Sequence, residues 1–209
     1  SEKAQAIFNK YNEFRHKLAP YLYTTAFQSS YYNVPMMRSM VMQYPDDPNC
    51  QYLGLEYMLG DSLLVAPVFD QDDFKVYLPE GIWTEFMTGE SINGGRWIRP
   101  QITIEDIPVY LKENSIVSML EKVPIDMEAK YKELIIYISI RDEIDAEYFD
   151  DDVKGRFRAS NTGVLTINTD MPAKTIVAYT SKPIETVIVN GVKKQAIKEE
   201  VNKYRIYLN

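Results

Sequence analysis

The apolar residues of this chain change their period once, near Asp61, and that change limits the fold more than any other feature. Before it, Ile7, Phe8, Tyr11, Phe14, Leu18, Leu22 and Ala26 fall at the three- and four-residue steps of one helix face. The pattern predicts a helix from Ala4 to about Tyr32, kinked or divided at Pro20, which lacks an N–H and clashes with the preceding turn. Next, Met36 to Met42 is apolar apart from Arg38 and Ser39 and is bounded by Pro35 and Pro45. It reads as a strand covered on both sides, as in a parallel sheet flanked by helices. Pro45-Asp46-Asp47-Pro48-Asn49 is a turn in which the prolines fix φ and the Asp and Asn side chains cap local N–H groups. A short helical stretch is expected over Tyr52–Leu59, closed by Gly60.

After Asp61 the helical period is gone. Short β-rich runs follow at Leu63–Val68, Lys75–Leu78, Trp83–Phe86, Ile102–Ile104, Val109–Leu111 and Ile116–Met119. Turn signals such as Pro79-Glu80-Gly81, Thr88-Gly89-Glu90 and Asn93-Gly94-Gly95 separate them. A second series runs through Leu134–Ile140, Glu147–Phe149, Val164–Asn168, Thr175–Tyr179, Thr186–Val189 and Tyr204–Tyr207, with Asn190-Gly191 as a hairpin signal. Many short, evenly punctuated strands predict antiparallel sandwiches. The two series part near Leu120–Tyr131, where Glu and Lys become dense.

Charge and cysteine usage exclude several functions. The formal charge is −7 and no Lys/Arg cluster exceeds a pair, so there is no basic stripe for a phosphate backbone and no nucleic-acid partner is expected. No apolar run approaches the roughly 20 residues of a membrane span, so no membrane partner is expected. Cys50 is the single cysteine and His16 the single histidine. They cannot form an internal disulfide or a four-ligand zinc site. A Cys50/His16 nucleophilic pair is disfavoured, because His16 lies in a helical segment and Cys50 in a proline-bounded turn.

One ordered set of motifs resembles a known family. It begins with Leu18-Ala19-Pro20-Tyr21-Leu22-Tyr23, Pro35-Met36-Met37-Arg38 and Tyr44-Pro45-Asp46-Asp47-Pro48. It continues with Glu56-Tyr57-Met58-Leu59-Gly60-Asp61 and Leu63-Leu64-Val65-Ala66-Pro67-Val68. Val76-Tyr77-Leu78-Pro79-Glu80-Gly81-Ile82-Trp83, Thr88-Gly89-Glu90 and Ile107-Pro108-Val109-Tyr110 complete it. In this order they resemble the C-terminal part of glycoside hydrolase family 31, which contains α-glucosidases and α-xylosidases; Pro35 to Phe69 is most similar to bacterial α-xylosidases. The resemblance covers residues 11–120 and thins beyond 125, where only Tyr148-Phe149-Asp150-Asp151-Asp152 is similar to the family's acidic loop.

The resemblance implies a mainly β chain: two C-terminal β-sandwich domains preceded by the last helix–strand portion of a (β/α)8 barrel. Residues 1–61 would be the barrel tail, 62–125 the proximal sandwich and 126–209 the distal one. The parent enzyme would hydrolyse terminal α-linked xylose or glucose, xylose being favoured, with an α-xyloside or α-glucoside oligosaccharide as its partner. Retaining hydrolysis needs two carboxyl groups about 5–5.5 Å apart. The family's two catalytic aspartates lie on barrel strands upstream of the segment matched here, and neither of their motifs occurs in this sequence, so no catalytic residue is assigned. Substrate-binding residues are left unknown, and no metal or cofactor is expected.

The carboxylates present have ordinary readings. Asp46 and Asp47 suit turn capping, and Asp61 a loop or cap. Asp145, Glu147 and Asp150 to Asp152 could in principle hold calcium, but Lys154 stands where such a loop wants an oxygen ligand. Trp83 and Trp97 could stack on sugar rings, although tryptophans in small sandwiches are more often core. That leaves an independent carbohydrate-binding module as the alternative to an enzyme part, with a purely structural role as a third. Without neighbours, the Met36–Met42 strand would expose backbone and apolar groups, so the chain alone is expected to self-associate or to lose order before about residue 60. The unpaired Cys50 and the α-xylosidase likeness favour a cytoplasmic parent.

Overall fold

Pro20 divides the N-terminal helix as its missing N–H requires. In the computed structural model, which describes residues 2–70, 72–103, 105–123, 133–150 and 153–208, α1 (Glu2–Lys17) and α2 (Ala19–Tyr32) meet at Leu18. Glu2 in the first turn of α1 and Arg15, His16 and Lys17 in its last suit the helix dipole. Asn33 ends α2 in the left-handed conformation, φ 56°.

The next segment differs from expectation. β1 (Met37–Ser39) is only three residues long and gives way to α3 (Met40–Gln43). A 3-10 turn at Pro48–Tyr52 follows, and then β2 (Tyr57–Leu59). β1 pairs antiparallel with β2, with Arg38 opposite Met58. Met37 and Ser39 are exposed while Arg38 is buried, so this is not a strand covered on both faces. The helix expected over Tyr52–Leu59 is replaced by the turn and β2, where Met58 is buried between two half-buried neighbours. A period of two decided the backbone, and Gly60, at φ 60°, turns β2 into β3 (Leu63–Val65) rather than ending a helix.

β4 (Val76–Leu78), β5 (Ile82–Glu85), β6 (Ser91–Asn93), β7 (Arg96–Ile98), β8 (Val109–Lys112) and β9 (Ser115–Leu120) follow. Six strands form one sheet in the order β1-β2-β3-β8-β5-β6, and β4 pairs with β7. The division expected between residues 61 and 62 therefore falls inside this sheet. Ile102 and Thr103 form no strand, and Ile104 lies outside the described residues.

The rest of the chain supplies β10 (Leu134–Ser139), β11 (Glu143–Asp150), β12 (Val153–Asn161), β13 (Val164–Thr169) and β14 (Ala173–Tyr179). It ends with β15 (Thr186–Val189), β16 (Val192–Lys194), β17 (Ala196–Glu200) and β18 (Lys203–Tyr207). They form two five-stranded sheets, β17-β18-β14-β10-β9 and β11-β12-β13-β15-β16. The fold is mainly β, as expected. Two pairings, β10 with β14 and β13 with β15, are parallel rather than antiparallel. In each case the intervening chain crosses over instead of returning through a hairpin. β9 pairs with β10 over six positions, so it joins the distal sheet. The division expected at 125 and 126 lies outside the described residues.

Three apolar clusters hold these layers. One fills the distal sandwich around Ile136, Phe157, Ile167 and Ile206. Another lies on one face of the six-stranded sheet, around Met58, Leu64, Tyr77, Trp83 and Tyr110. The third unites α1 and α2 with the sheet's other face and with β9 and β14, through Leu18, Tyr21, Leu63, Leu111, Val117 and Val177. α2 is also tied to β11: the Thr24 hydroxyl donates to the Phe149 carbonyl at 3.3 Å and accepts its N–H at 3.2 Å. The Phe27 and Phe149 rings stack at 4.0 Å.

Asn93-Gly94-Gly95 shows why a glycine pair is needed here. A Cβ at Gly94 would sit 1.9 Å from the Pro79 carbonyl oxygen, the atom that accepts the Trp83 indole N–H at 2.8 Å. Gly95 has φ 71° but open space around it. Gly94→Ala should therefore cost about 3 kcal/mol through forced backbone displacement. Gly95→Ala should cost only about 1 kcal/mol of left-handed strain. Urea denaturation of the two variants checks the ranking.

Candidate functional site

The motifs that carry the family resemblance are bonded to one another. Tyr21, on the buried face of α2, donates its hydroxyl to the Leu59 carbonyl at 2.7 Å and accepts the Ser62 N–H at 3.2 Å. It thus clasps both sides of the Gly60-Asp61 turn, where a Cβ on Gly60 would lie 2.4 Å from the Tyr21 oxygen. Burial pushes the Tyr21 hydroxyl up to about 12. Arg38, buried in β1, donates to the Pro35 carbonyl and to Gln43 Oε1, each at 3.0 Å, and pairs with Asp61.

A second set of bonds links the proline-bounded turn to the following strands. Asp47 accepts the Tyr77 hydroxyl at 2.8 Å and the Asn49 N–H at 3.0 Å, capping its turn. Burial would raise its carboxyl, but the hydrogen bonds from Tyr77 and Asn49 outweigh that and leave it below the usual range. Glu56 is buried, and its Oε2 accepts the Tyr77 N–H at 3.2 Å. Its Oε1 is enclosed with no partner, and burial pushes the carboxyl up to about 8. Asp47 and Asp61 thus serve the framework, each with its own donor, and Asp46 is exposed.

His16 and Cys50 do not meet. The His16 Nδ1–H donates to the Asn12 carbonyl at 2.7 Å on α1. Cys50 is fully buried in the cluster under β2 and β3, and burial pushes its thiol up to about 12. In the distal sandwich, Arg156 holds Asp145, whose carboxyl is lowered chiefly by that bond. Glu147 accepts from Lys154 at 2.6 Å and from the Tyr32 hydroxyl at 2.7 Å. Lys154 thus occupies the carboxylate a calcium loop would need. Asp151 and Asp152 lie outside the described residues. Among the described residues, no group of three or more His, Cys, Asp or Glu could hold a metal. No described helix is long and apolar enough to cross a membrane.

The two tryptophans part company. Trp83 is enclosed in the core, so it is no stacking platform. Trp97 lies at the surface, with the Tyr77 ring 5.4 Å away and the Lys75 ammonium 4.9 Å from its centroid. It borders a pocket of about 350 Å³, also lined by Tyr52, Leu55, Glu56 and Phe69. None of these neighbours was read as part of a site from the sequence; the signal was an aromatic, Phe69, followed by Asp70, Asp72 and Asp73.

Residues 33–117 match the glycosyl hydrolase family 31 C-terminal domain. Over those residues the chain carries that family's C-terminal domain. An isomaltosyltransferase from Sporosarcina globispora is 40% identical over 127 residues, 60% of this chain and 11% of that protein. An α-xylosidase from Saccharolobus solfataricus is 33% identical over 121 residues, 56% of this chain and 17% of that protein. α-Glucosidases are also among the curated proteins that it resembles. The cycloalternan-forming enzyme from Listeria monocytogenes, solved with a pentasaccharide substrate, superposes with a TM-score of 0.85 at 24% identity. That match covers 99% of this chain and 22% of that one, and it shows a shared fold. The chain thus spans less than a quarter of the length of each of these proteins. The family 31 match begins at residue 33, so β1, α3 and β2 fall within the matched domain.

Proposed function

We propose that this chain is the structural C-terminal part of a retaining α-glycosidase acting on terminal α-linked glucose or xylose, with xylose preferred. The observation that carries this reading is the bonding of the family motifs to one another. Tyr21 holds the Leu59 carbonyl and the Ser62 N–H, Arg38 pairs with Asp61, and Tyr77 donates to Asp47. Cross-bonds of this kind, anchored on the buried Tyr21, Arg38 and Tyr77, fix a scaffold. In this reading α1 and α2 are the last helices of a barrel, and the catalytic carboxylates stand on barrel strands outside this chain. The parent is cytoplasmic, in keeping with the unpaired, buried Cys50. Edge strand β1, with Met37 exposed, would favour self-association of the chain by itself.

Similarity to an α-xylosidase supports the xylose preference, and the isomaltosyltransferase likeness keeps glucosyl chemistry as the competitor. A covalent glycosyl intermediate serves both outcomes, since water or a second sugar can resolve it. The test is kcat/KM for aryl α-xyloside and aryl α-glucoside with a full-length enzyme carrying this chain. A ratio of about ten or more in favour of xyloside, the size a single pocket contact supplies, is expected. A ratio near one or below moves the assignment to glucose, and transfer products at high substrate concentration move it to a transferase. A carbohydrate-binding role remains the second reading, favoured by the aromatic pocket at Trp97.

A further inference from the structure

We infer that the pocket bordered by Tyr52, Phe69 and Trp97 binds a pyranose ring of an α-linked gluco- or xylo-oligosaccharide. The inference rests on the carbohydrate reading above for the class of ligand alone; its geometry is independent of it. Tyr52 is 92% exposed, Phe69 72%, Leu55 65% and Trp97 43%, and all four line one pocket of about 350 Å³. Large apolar side chains gathered around a concavity carry a solvation cost that a ligand removes. The volume lies within the usual range for small-molecule sites.

The polar groups choose a sugar over an apolar segment. Asp70, Asp73 and Lys75 also line the pocket, so charged donors and acceptors border the aromatic faces. Asp73 is engaged with Arg99, at 3.0 Å, through a pair exposed on both sides, and Lys75 lies over the exposed Trp97 ring. Such exposed contacts are weak and exchange readily for ligand hydroxyls. Glu56, nine-tenths buried, forms part of the wall and has one oxygen without a partner. A pyranose offers both surfaces needed here: C–H faces for the rings and hydroxyls around its rim.

The two tryptophans give a direct readout, because Trp83 is enclosed in the core whereas Trp97 borders the pocket. The 209-residue chain is titrated with maltotriose and, separately, with a xyloglucan heptasaccharide, following tryptophan fluorescence and calorimetry. A saturable response to either probe is expected, and the probe that binds tells which sugar the pocket takes. Trp97→Phe should abolish the fluorescence change while calorimetric binding persists. Tyr52→Ala combined with Phe69→Ala should weaken binding about tenfold or more. Both positions are exposed, so folding should survive. Tyr31→Ala, an exposed aromatic on α2, serves as control and should bind as the parent chain does.

No saturable response to either sugar at millimolar concentrations overturns the inference, as does equal weakening in the Tyr31→Ala control. If instead the double variant abolishes self-association in sedimentation while no sugar binds, the pocket is a protein contact and the inference is wrong. Hydrolysis by the full-length enzyme is unaffected by any of these outcomes, so the two proposals can fail separately.

Discussion

Trp83→Ala should destabilise the chain by about 3–5 kcal/mol, the usual cost of truncating a large buried aromatic, whereas Trp97→Ala should cost about 1 kcal/mol or less. Trp83 is 1% exposed, and its indole N–H donates to the Pro79 carbonyl at 2.8 Å. Truncation opens a cavity among Leu64, Leu78 and Tyr110 and leaves that carbonyl without its donor. Trp97 loses only a tilted contact with Tyr77 and the Lys75 ammonium over its ring, both at the surface. Urea midpoints at equal m-values give the two costs directly. Equal losses at the two positions would mean that Trp97 is part of the core and not the edge of a pocket.

Glu56→Gln should stabilise the chain by an amount that grows with pH. Burial raises the Glu56 carboxyl from an ordinary 4.5 to about 8 in the folded state, against the lowering effect of the Tyr77 N–H. A raised carboxyl means that the folded chain binds its proton more tightly than the unfolded one. The contribution is therefore fully present below pH 4.5 and lost as pH climbs through about 8. Glutamine does not titrate and keeps an acceptor for Tyr77. The stability difference between variant and parent should be flat below pH 4.5, rise through neutrality and level off above pH 8. Its total change is on the order of several kcal/mol. Cys50 and Tyr110 are the titratable neighbours, and burial pushes both upward, so neither ionises in this window. A difference independent of pH would show that the Glu56 carboxyl titrates alike in the folded and unfolded chain, so that burial does not hold its proton.

Local periodicity made most of the architecture readable. The helix face from Ile7 to Ala26, its division at Pro20 and the Asn190-Gly191 hairpin follow from rules that act within a few residues. β12 went unread because its buried face carries Gly155 and Ala159 beside Phe157, small residues that give little apolar signal between charged neighbours. The Tyr52–Leu59 stretch misled because Tyr52, Leu55 and Leu59 share helical spacing, while Asp47 capping a 3-10 turn and the pairing with β1 and β3 set the backbone. The two parallel pairings depend on crossovers between sheets, which no local pattern encodes. At the candidate site, Trp83 and Trp97 have similar strand contexts; only the placement of β5 against β8, with β7 at the edge on β4, separates core from rim. The ordered motifs were legible as a resemblance, but their role as mutual hydrogen-bond partners was not.

The central claim is that this chain supports a glycosidase without performing its chemistry. The most direct test is release of aryl leaving group from α-xyloside and α-glucoside by the purified 209-residue chain, shown to be folded by circular dichroism, beside a heat-denatured control. The account predicts no release above that control from either substrate. Turnover by the folded chain would contradict it, and the carboxylates here assigned to capping and pairing, Asp47 and Asp61 first, would then have to be tested as the catalytic pair.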